Sequence, residues 1–258
     1  MAKVLKVFII AMNFFARLLI NSPGLYSKAR RIRHMLFGFP EAELELLEFL
    51  VDPDRVAIDV GAHSGLYTAE LLRLASSVVA IEAIPELAAD VERIYAKARV
   101  INAAASNEEG SATLYVPTGQ PGLSTIAAGN PIAAATCRTV HVKTITIDGI
   151  ESGPVGFIKI DVEGNELAVL QGALDVLKRD RPVLLIEAEE RHRVDAVASL
   201  DALLSPLGYT GLMLENGRLS SLRMFDPSRD QQVSQANLEA LNSGLYRGRY
   251  INNFIFLP

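Results

Sequence analysis

Hydrophobic and polar positions alternate in two distinct periods along this chain. The segments RVAID (55–59), SVVAIE (77–82), RVIN (99–102), GFIKID (156–161) and PVLLIEAE (182–189) are nearly continuous apolar runs. Runs of that length, apolar on both faces, predict strands of a buried parallel sheet. Between them GLYTAELLRLA, PELAADVERIYAKA and the stretches 165–177 and 194–204 carry apolar residues at helical spacing, with Pro85 suited to a first helical turn. EAELELLEFL predicts a short acidic helix ended near Pro53. SATLYV (111–116) and RTVHVKTI (138–145) alternate with period two and predict extra antiparallel strands. GYTGLML (208–214) and YINNFIFLP (250–258) supply a final pair. The 117–137 stretch, rich in Gly, Pro and Ala, reads as a loop of the length that usually serves function. The order predicts a doubly wound α/β domain over 41–258, with no second domain and no internal repeat.

Residues 1–40 break from this pattern. They hold seven basic residues and no acid, a balance of +7, so the remainder carries −12 within a net charge of −5. Over residues 4–20 the polar positions fall along one narrow side of a helix, and KARRIRH follows. The longest uncharged run, Val7 to Ala16, is about half of the ~20 residues a span requires. An apolar helix with a basic cluster predicts a cytoplasmic protein in peripheral contact with the inner face of an anionic membrane. A helix docked on the domain or on a second copy, as a homodimer, is the alternative. Composition narrows the remaining classes. The lone Cys137 excludes an internal disulfide and a multi-cysteine zinc site. The net negative charge does not suggest a nucleic-acid partner.

The candidate chemistry starts where the first apolar strand enters its helix, at Asp59-Val60-Gly61-Ala62-His63-Ser64-Gly65-Leu66-Tyr67. In a doubly wound sheet, ligands bind at the carboxyl ends of the strands. Glycines there let the backbone approach a ligand, and the helix start suits an anionic group. Glu82, 21 residues after Gly61, closes the second strand, where an acid can accept hydrogen bonds from both ribose hydroxyls. A dinucleotide fingerprint needs a third glycine, which is missing, and no G-K-[ST] exists for a P-loop. Asp59-x-Gly61-x-x-x-Gly65 with a later acid is instead the pattern of an S-adenosylmethionine site. A nicotinamide-dependent oxidoreductase and a non-catalytic nucleoside-binding module are the competing readings.

IDVGAHSGLYT, VVAIEAIPEL, VINAAASNEEGSATLYV, TITIDGI, IKIDVEGNELAVLQGA, RPVLLIEAEE and YINNFIFLP together resemble the FkbM family of S-adenosylmethionine-dependent methyltransferases. The resemblance runs from about Glu41 to the C-terminus. It implies a seven-stranded, mostly parallel, Rossmann-like sheet whose last strand, 250–257, lies antiparallel beside 209–214. It also implies methyl transfer to a hydroxyl of a sugar, a lipid-linked glycan or a polyketide-like acceptor. One departure is Ala83, where the family usually has proline after the ribose acid. Pro85 takes over the helix start, which leaves Glu82 in its role.

In-line transfer from a sulfonium needs an acceptor oxygen held on the C–S axis and a base for its proton. Asp161 and Glu163 end the fourth core strand and are the candidates for the base, with contact to the sulfonium of the cofactor as the other reading of Asp161. Lys159, two residues earlier, points the same way and could steady an alkoxide or pair with a carboxylate. The alternative is an ion network that closes the turn. His63 and Tyr67 are candidates for the methionine end, with turn bonding and packing as alternatives. Asn102 and Ser106 are placed near the adenine. Leu123-Ser124-Thr125 aligns with a serine-containing stretch of the family, and the resemblance implies that it closes over the acceptor. Asp161, Glu187 and His192 could gather a divalent ion, but Glu-Ala-Glu-Glu-Arg-His reads better as the polar mouth of the acceptor pocket, and no metal is expected.

Overall fold

The computed structural model describes residues 42–131, 137–215, 217–234, 237–242, 246 and 248–258. The 1–40 extension lies outside them, as do 132–136 of the long loop. No described helix is long and apolar enough to cross a membrane.

The strands in chain order are β1 (Val56–Val60), β2 (Ser77–Glu82), β3 (Arg99–Asn102), β4 (Ala104–Ala105), β5 (Gly110–Pro117), β6 (Cys137–Ile145), β7 (Val155–Ile160), β8 (Val183–Glu187), β9 (Thr210–Glu215), β10 (Arg218–Ser221) and β11 (Asn253–Leu257). The main sheet runs β10-β9-β11-β8-β7-β1-β2-β3. Its β8-β7-β1-β2-β3 part is parallel. The last strand, β11, inserts antiparallel between β8 and β9. That is the expected architecture with one addition. The sheet has eight strands, because Arg218–Ser221 folds back on β9 as an antiparallel edge. Arg-Leu-Ser-Ser is too short and too exposed to announce a strand by its pattern.

Every residue of β1 and β7 is buried, as their unbroken apolar runs require. Ile58, Val60, Ile158, Ile160, Ile186, Phe254 and Phe256 face one layer, built from helices Glu166–Gln171, Leu174–Asp180 and Ala196–Leu204. Ala57, Phe157, Leu185 and Ile255 face the other, where Leu47, Leu71 and Val91 pack from the helices on that side. Each face is an apolar core, and the removal of this apolar area from water is the main force holding the layers together.

Two helices differ from expectation. The helix over 85–98 ends at Ile94, where Tyr95 turns inward against the Gly65 turn. The helix over 165–177 is two, Glu166–Gln171 and Leu174–Asp180, broken at Gly172. A Cβ on Gly172 would stand 2.1 Å from the Ser106 carbonyl oxygen. The Gly172 carbonyl meanwhile accepts from Asp148 N. The second helix takes its cap from a distant residue, since Asp148 Oδ1 and Oδ2 accept from the Val176 and Asp175 amides at 2.9 and 3.1 Å. That satisfies donors which the helix start leaves orphaned.

Beyond β3 the chain bends through Ala103 into β4, which joins β6 and β5 in a separate three-stranded sheet. The β5–β6 hairpin pairs from Gly110–Thr144 to Pro117–Cys137, as its alternation predicts. The start of the long loop folds onto it, with Tyr115 and Thr125 exchanging backbone hydrogen bonds. This hairpin and loop roof the carboxyl edge of the main sheet.

Candidate active site

A cavity of about 220 Å³ opens at the carboxyl ends of β1, β2 and β7. Its floor is Asp59 to Ser64 with Leu66 and Tyr67, and one wall is Ile81 to Ile84. The far wall is Lys159 and Asp161 to Glu163 with Asn165, and the roof is Leu114, Pro121, Gly122, Ser124 and Ile126.

Glu82 is 6% exposed and is held from both ends. Its Oε2 accepts from the His63 amide and its Oε1 from the Ile84 amide, each at 2.7 Å. Burial pushes its carboxyl above the usual range, and the two backbone donors oppose the shift. At the Ala83 departure the helix starts at Pro85, and the Ile84 amide reaches Glu82. Asp59, 1% exposed, accepts from the Thr68 hydroxyl at 2.5 Å. Thr68 is thus a site-orienting residue that no spacing argument identified.

The glycines of the turn also answer a demand within the protein. Gly61 has φ +81, and a Cβ there would sit 1.8 Å from the Asp161 carbonyl oxygen. Gly65 has φ +74, and its Cβ would meet the Tyr95 ring at 2.4 Å. Both therefore serve left-handed backbone and close approach within the protein. In this way Gly61 lets the β1 and β7 loops touch, joined by the Asp161 amide on the Val60 carbonyl at 3.0 Å.

Lys159 is 1% exposed, with Nζ 3.9 Å from Asp161 Oδ2, 3.8 Å from Glu187 Oε2 and 3.3 Å from Asn253 Oδ1. It also stands 5.0 Å over the Tyr67 ring. Strand parity brings the group together, because Lys159 pairs with Leu185 and Asn253 with Glu187 in register. Burial, with Asp161 next, drives the Glu187 carboxyl well above its usual range, while Lys159 opposes. Of the two readings of Lys159, pairing with a carboxylate is present, to Asp161 and Glu187 alike. Asp161 lines the cavity and keeps a third of its side chain exposed.

Glu163 lines the same wall and is 8% exposed, with φ +52. Its carboxylate lies 2.8 Å from His192 Nε2, and its carbonyl accepts from Asn130 Nδ2 at 2.7 Å. Asn130, from the long loop, went unremarked in the sequence because nothing in a Gly-Asn-Pro turn signals a buried contact 33 residues away.

Of the residues read from the sequence, Asp59, Gly61, His63, Tyr67, Glu82, Lys159, Asp161 and Glu163 all line the cavity. Gly65 supports the turn behind it. Asn102 and Ser106 do not line it. The Asn102 amide donates to the Glu82 and Ala83 carbonyls at 2.8 and 3.2 Å, and Ser106 turns to Asn107. The bend after β3 puts Ala103, Ala104 and Ala105 in their place. Nor do Asp161, Glu187 and His192 form a metal cluster; the grouping found among the described residues is Glu163, Glu189 and His192.

A family model for the methyltransferase FkbM domain matches residues 59–210. Among solved structures, a methyltransferase FkbM from Methylobacillus flagellatus KT is similar at TM-score 0.48 and 18% identity, over 96% of this chain and 58% of that one. An O-methyltransferase from Bacillus cereus in complex with SAH matches at TM-score 0.41 and 15% identity, over 83% of this chain and 76% of that one. An rRNA methylase from Streptococcus thermophilus matches at TM-score 0.46 and 10% identity, over 83% of this chain and 93% of that one. No curated protein matches. The family match covers more than half of the chain, from Asp59 in the glycine turn through β7, β8 and the helix that follows, and the chain belongs to the FkbM methyltransferase family.

Proposed function

We propose that this protein is an S-adenosylmethionine-dependent O-methyltransferase acting on a hydroxyl of a sugar, glycan or polyketide-like acceptor. One observation carries the reading: Glu82 and Asp161 stand on opposite walls of a single cavity across the β1 turn. The wall chemistry fits the nucleoside. Glu82, anchored by two amides, keeps lone pairs for a ribose diol, and Ile84, Ala103 to Ala105 and Leu114 make an apolar slot for a base. S-adenosylmethionine supplies an electrophilic methyl group on a sulfonium.

The residues of the chain do the rest. Asp161, the more exposed of the two wall carboxylates, takes the acceptor proton. Lys159, held against Asp161 and over Tyr67, stabilises negative charge as it develops on the acceptor oxygen. Pro121, Gly122, Ser124 and Ile126 exclude water above the reacting atoms. His63 and Tyr67 border the methionine end. Residues 1–40 hold the enzyme to an anionic membrane surface, which would suit a lipid-linked acceptor.

The test is incubation of the full chain with methyl-labelled S-adenosylmethionine and a cell extract, followed by identification of the labelled product. A labelled methyl ether is expected, and Asp161→Asn should lower kcat by about 10²–10⁴-fold, the usual worth of a positioned base. Label on nitrogen or carbon overturns the O-transfer, and no label at all overturns the reading.

A further inference from the structure

Beside the cavity, the turn after β8 brings Glu189 and His192 against Glu163. One donor atom from each lies within 4.8 Å of the other two, and all three residues are buried. Two carboxylates so placed repel unless a cation or a proton separates them. Arg191 forks onto Glu189 through Nε at 2.5 Å and Nη2 at 3.0 Å, and the Tyr250 hydroxyl donates to the same carboxylate. These bonds orient Glu189 and leave its Oε1 3.9 Å from His192 Nε2.

His192 Nε2 is the unexplained atom. It is buried 2.8 Å from Glu163 Oε2, yet out of line for a hydrogen bond, and has no hydrogen-bond partner among the described residues. A proton shared between imidazole and carboxylate would lie along the line joining them. Ligands about 2.1 Å from one octahedral ion, at right angles, stand roughly 3 Å apart with their lone pairs converging off that line. The Nε2–Oε2 contact has this form, and the 3.9 Å to Glu189 Oε1 is a wider angle at the same centre.

We propose that Glu163 Oε2, Glu189 Oε1 and His192 Nε2 form a site for a divalent transition ion. One imidazole and two carboxylates suit Mn²⁺, Fe²⁺ or Zn²⁺ better than the all-oxygen ions Mg²⁺ and Ca²⁺. Arg191 offsets one of the two negative charges, and the other favours a dication. The Asn130 amide nitrogen is 3.3 Å from His192 Nδ1, which places the ring proton on Nε2 without an ion. Binding shifts that proton to Nδ1, and Asn130 gives up this long contact while keeping its 2.7 Å bond to the Glu163 carbonyl. Because Glu163 also lines the cavity, the ion stands at the acceptor end, a consequence that rests on the function proposed above; ion binding itself does not.

The test uses the full chain, without a histidine tag, stripped by a chelator and titrated with Mn²⁺ under electron paramagnetic resonance, and with Zn²⁺ by calorimetry. One equivalent of Mn²⁺ with ¹⁴N coupling from an imidazole is expected. His192→Gln should abolish the coupling and weaken binding at least tenfold, and Glu189→Gln should weaken it similarly, with circular dichroism confirming the fold. Should His192→Gln fail to fold, Glu189→Gln and the wild-type coupling decide. Absence of stoichiometric binding, or binding without nitrogen coupling that both variants leave unchanged, overturns the proposal. S-adenosylhomocysteine binding, read on the same wild-type sample, separates failure of this site from failure of the methyltransferase reading.

Discussion

Glu82, the acid proposed above to hold the ribose, is fixed in place by the backbone around it. Its two oxygens are tied to the His63 and Ile84 amides, so no ordering cost is left for the ligand to meet. Glu82→Gln keeps the shape and one acceptor, and should weaken S-adenosylhomocysteine binding by about 10-fold or more, measured by calorimetry, since hydrogen bonds to charged groups are worth about 1.5–3 kcal/mol. Gly61→Ala tests a different cause. A methyl 1.8 Å from the Asp161 carbonyl, on backbone at φ +81, should cost about 3 kcal/mol in denaturant unfolding. At this scale the sequence was legible at Asp59, Glu82 and Asp161, near the carboxyl ends of β1, β2 and β7, which all line the cavity. It was illegible at Asn102 and Ser106, because the bend through Ala103 rotates the chain and hands the cavity wall to three alanines. No side-chain pattern announces such a bend.

Elements in this protein are ended and joined by contacts from elsewhere in the chain. At the helix break, the Ser106 carbonyl leaves no room for a Cβ on Gly172. Gly172→Ala should therefore destabilise by about 1–3 kcal/mol, although alanine is the better helix former, and unfolding by denaturant measures the sign. Asp180 ends the second half of that helix and ties it to the sheet by accepting from the Val155 amide at 3.0 Å. Arg179, bonded to the same carboxylate, holds the Asp180 carboxyl below its ordinary 3.8, with the Val155 amide adding to the effect. A carboxyl depressed in the folded state stabilises above the unfolded value and loses that contribution as pH falls through the folded one. Asp180→Asn should then cost about 1 kcal/mol at pH 7, discounted because Arg179 is largely exposed. The deficit relative to wild type should shrink below about pH 4, as followed by thermal unfolding across pH.

For the whole molecule, the C-terminal strand decides whether the sheet is complete. β11 hydrogen-bonds to β8 on one side and β9 on the other, and Phe254 and Phe256 are fully buried in the core. A chain ending at Tyr250 should lose cooperative thermal unfolding, since the β8 and β9 edges would be left bare and the core would lose Phe254 and Phe256. The basic 1–40 segment makes a separate prediction. Flotation with anionic liposomes should retain the full chain and release one lacking residues 1–38, with the effect weakened by salt.

By itself the sequence determined the alternation of elements, the two-sided burial of the central strands and the acids at their carboxyl ends. These follow from local periodicity and strand parity, which need no knowledge of what lies across the sheet. Only the tertiary structure decided the rest: the eighth strand, the remote Asp148 cap, Glu187 beside Lys159, and Asn130 and His192 around Glu163. Each depends on atoms far apart in the chain meeting at a few ångströms. The energy of such a meeting is a property of the packed neighbourhood, and no short window of residues contains it.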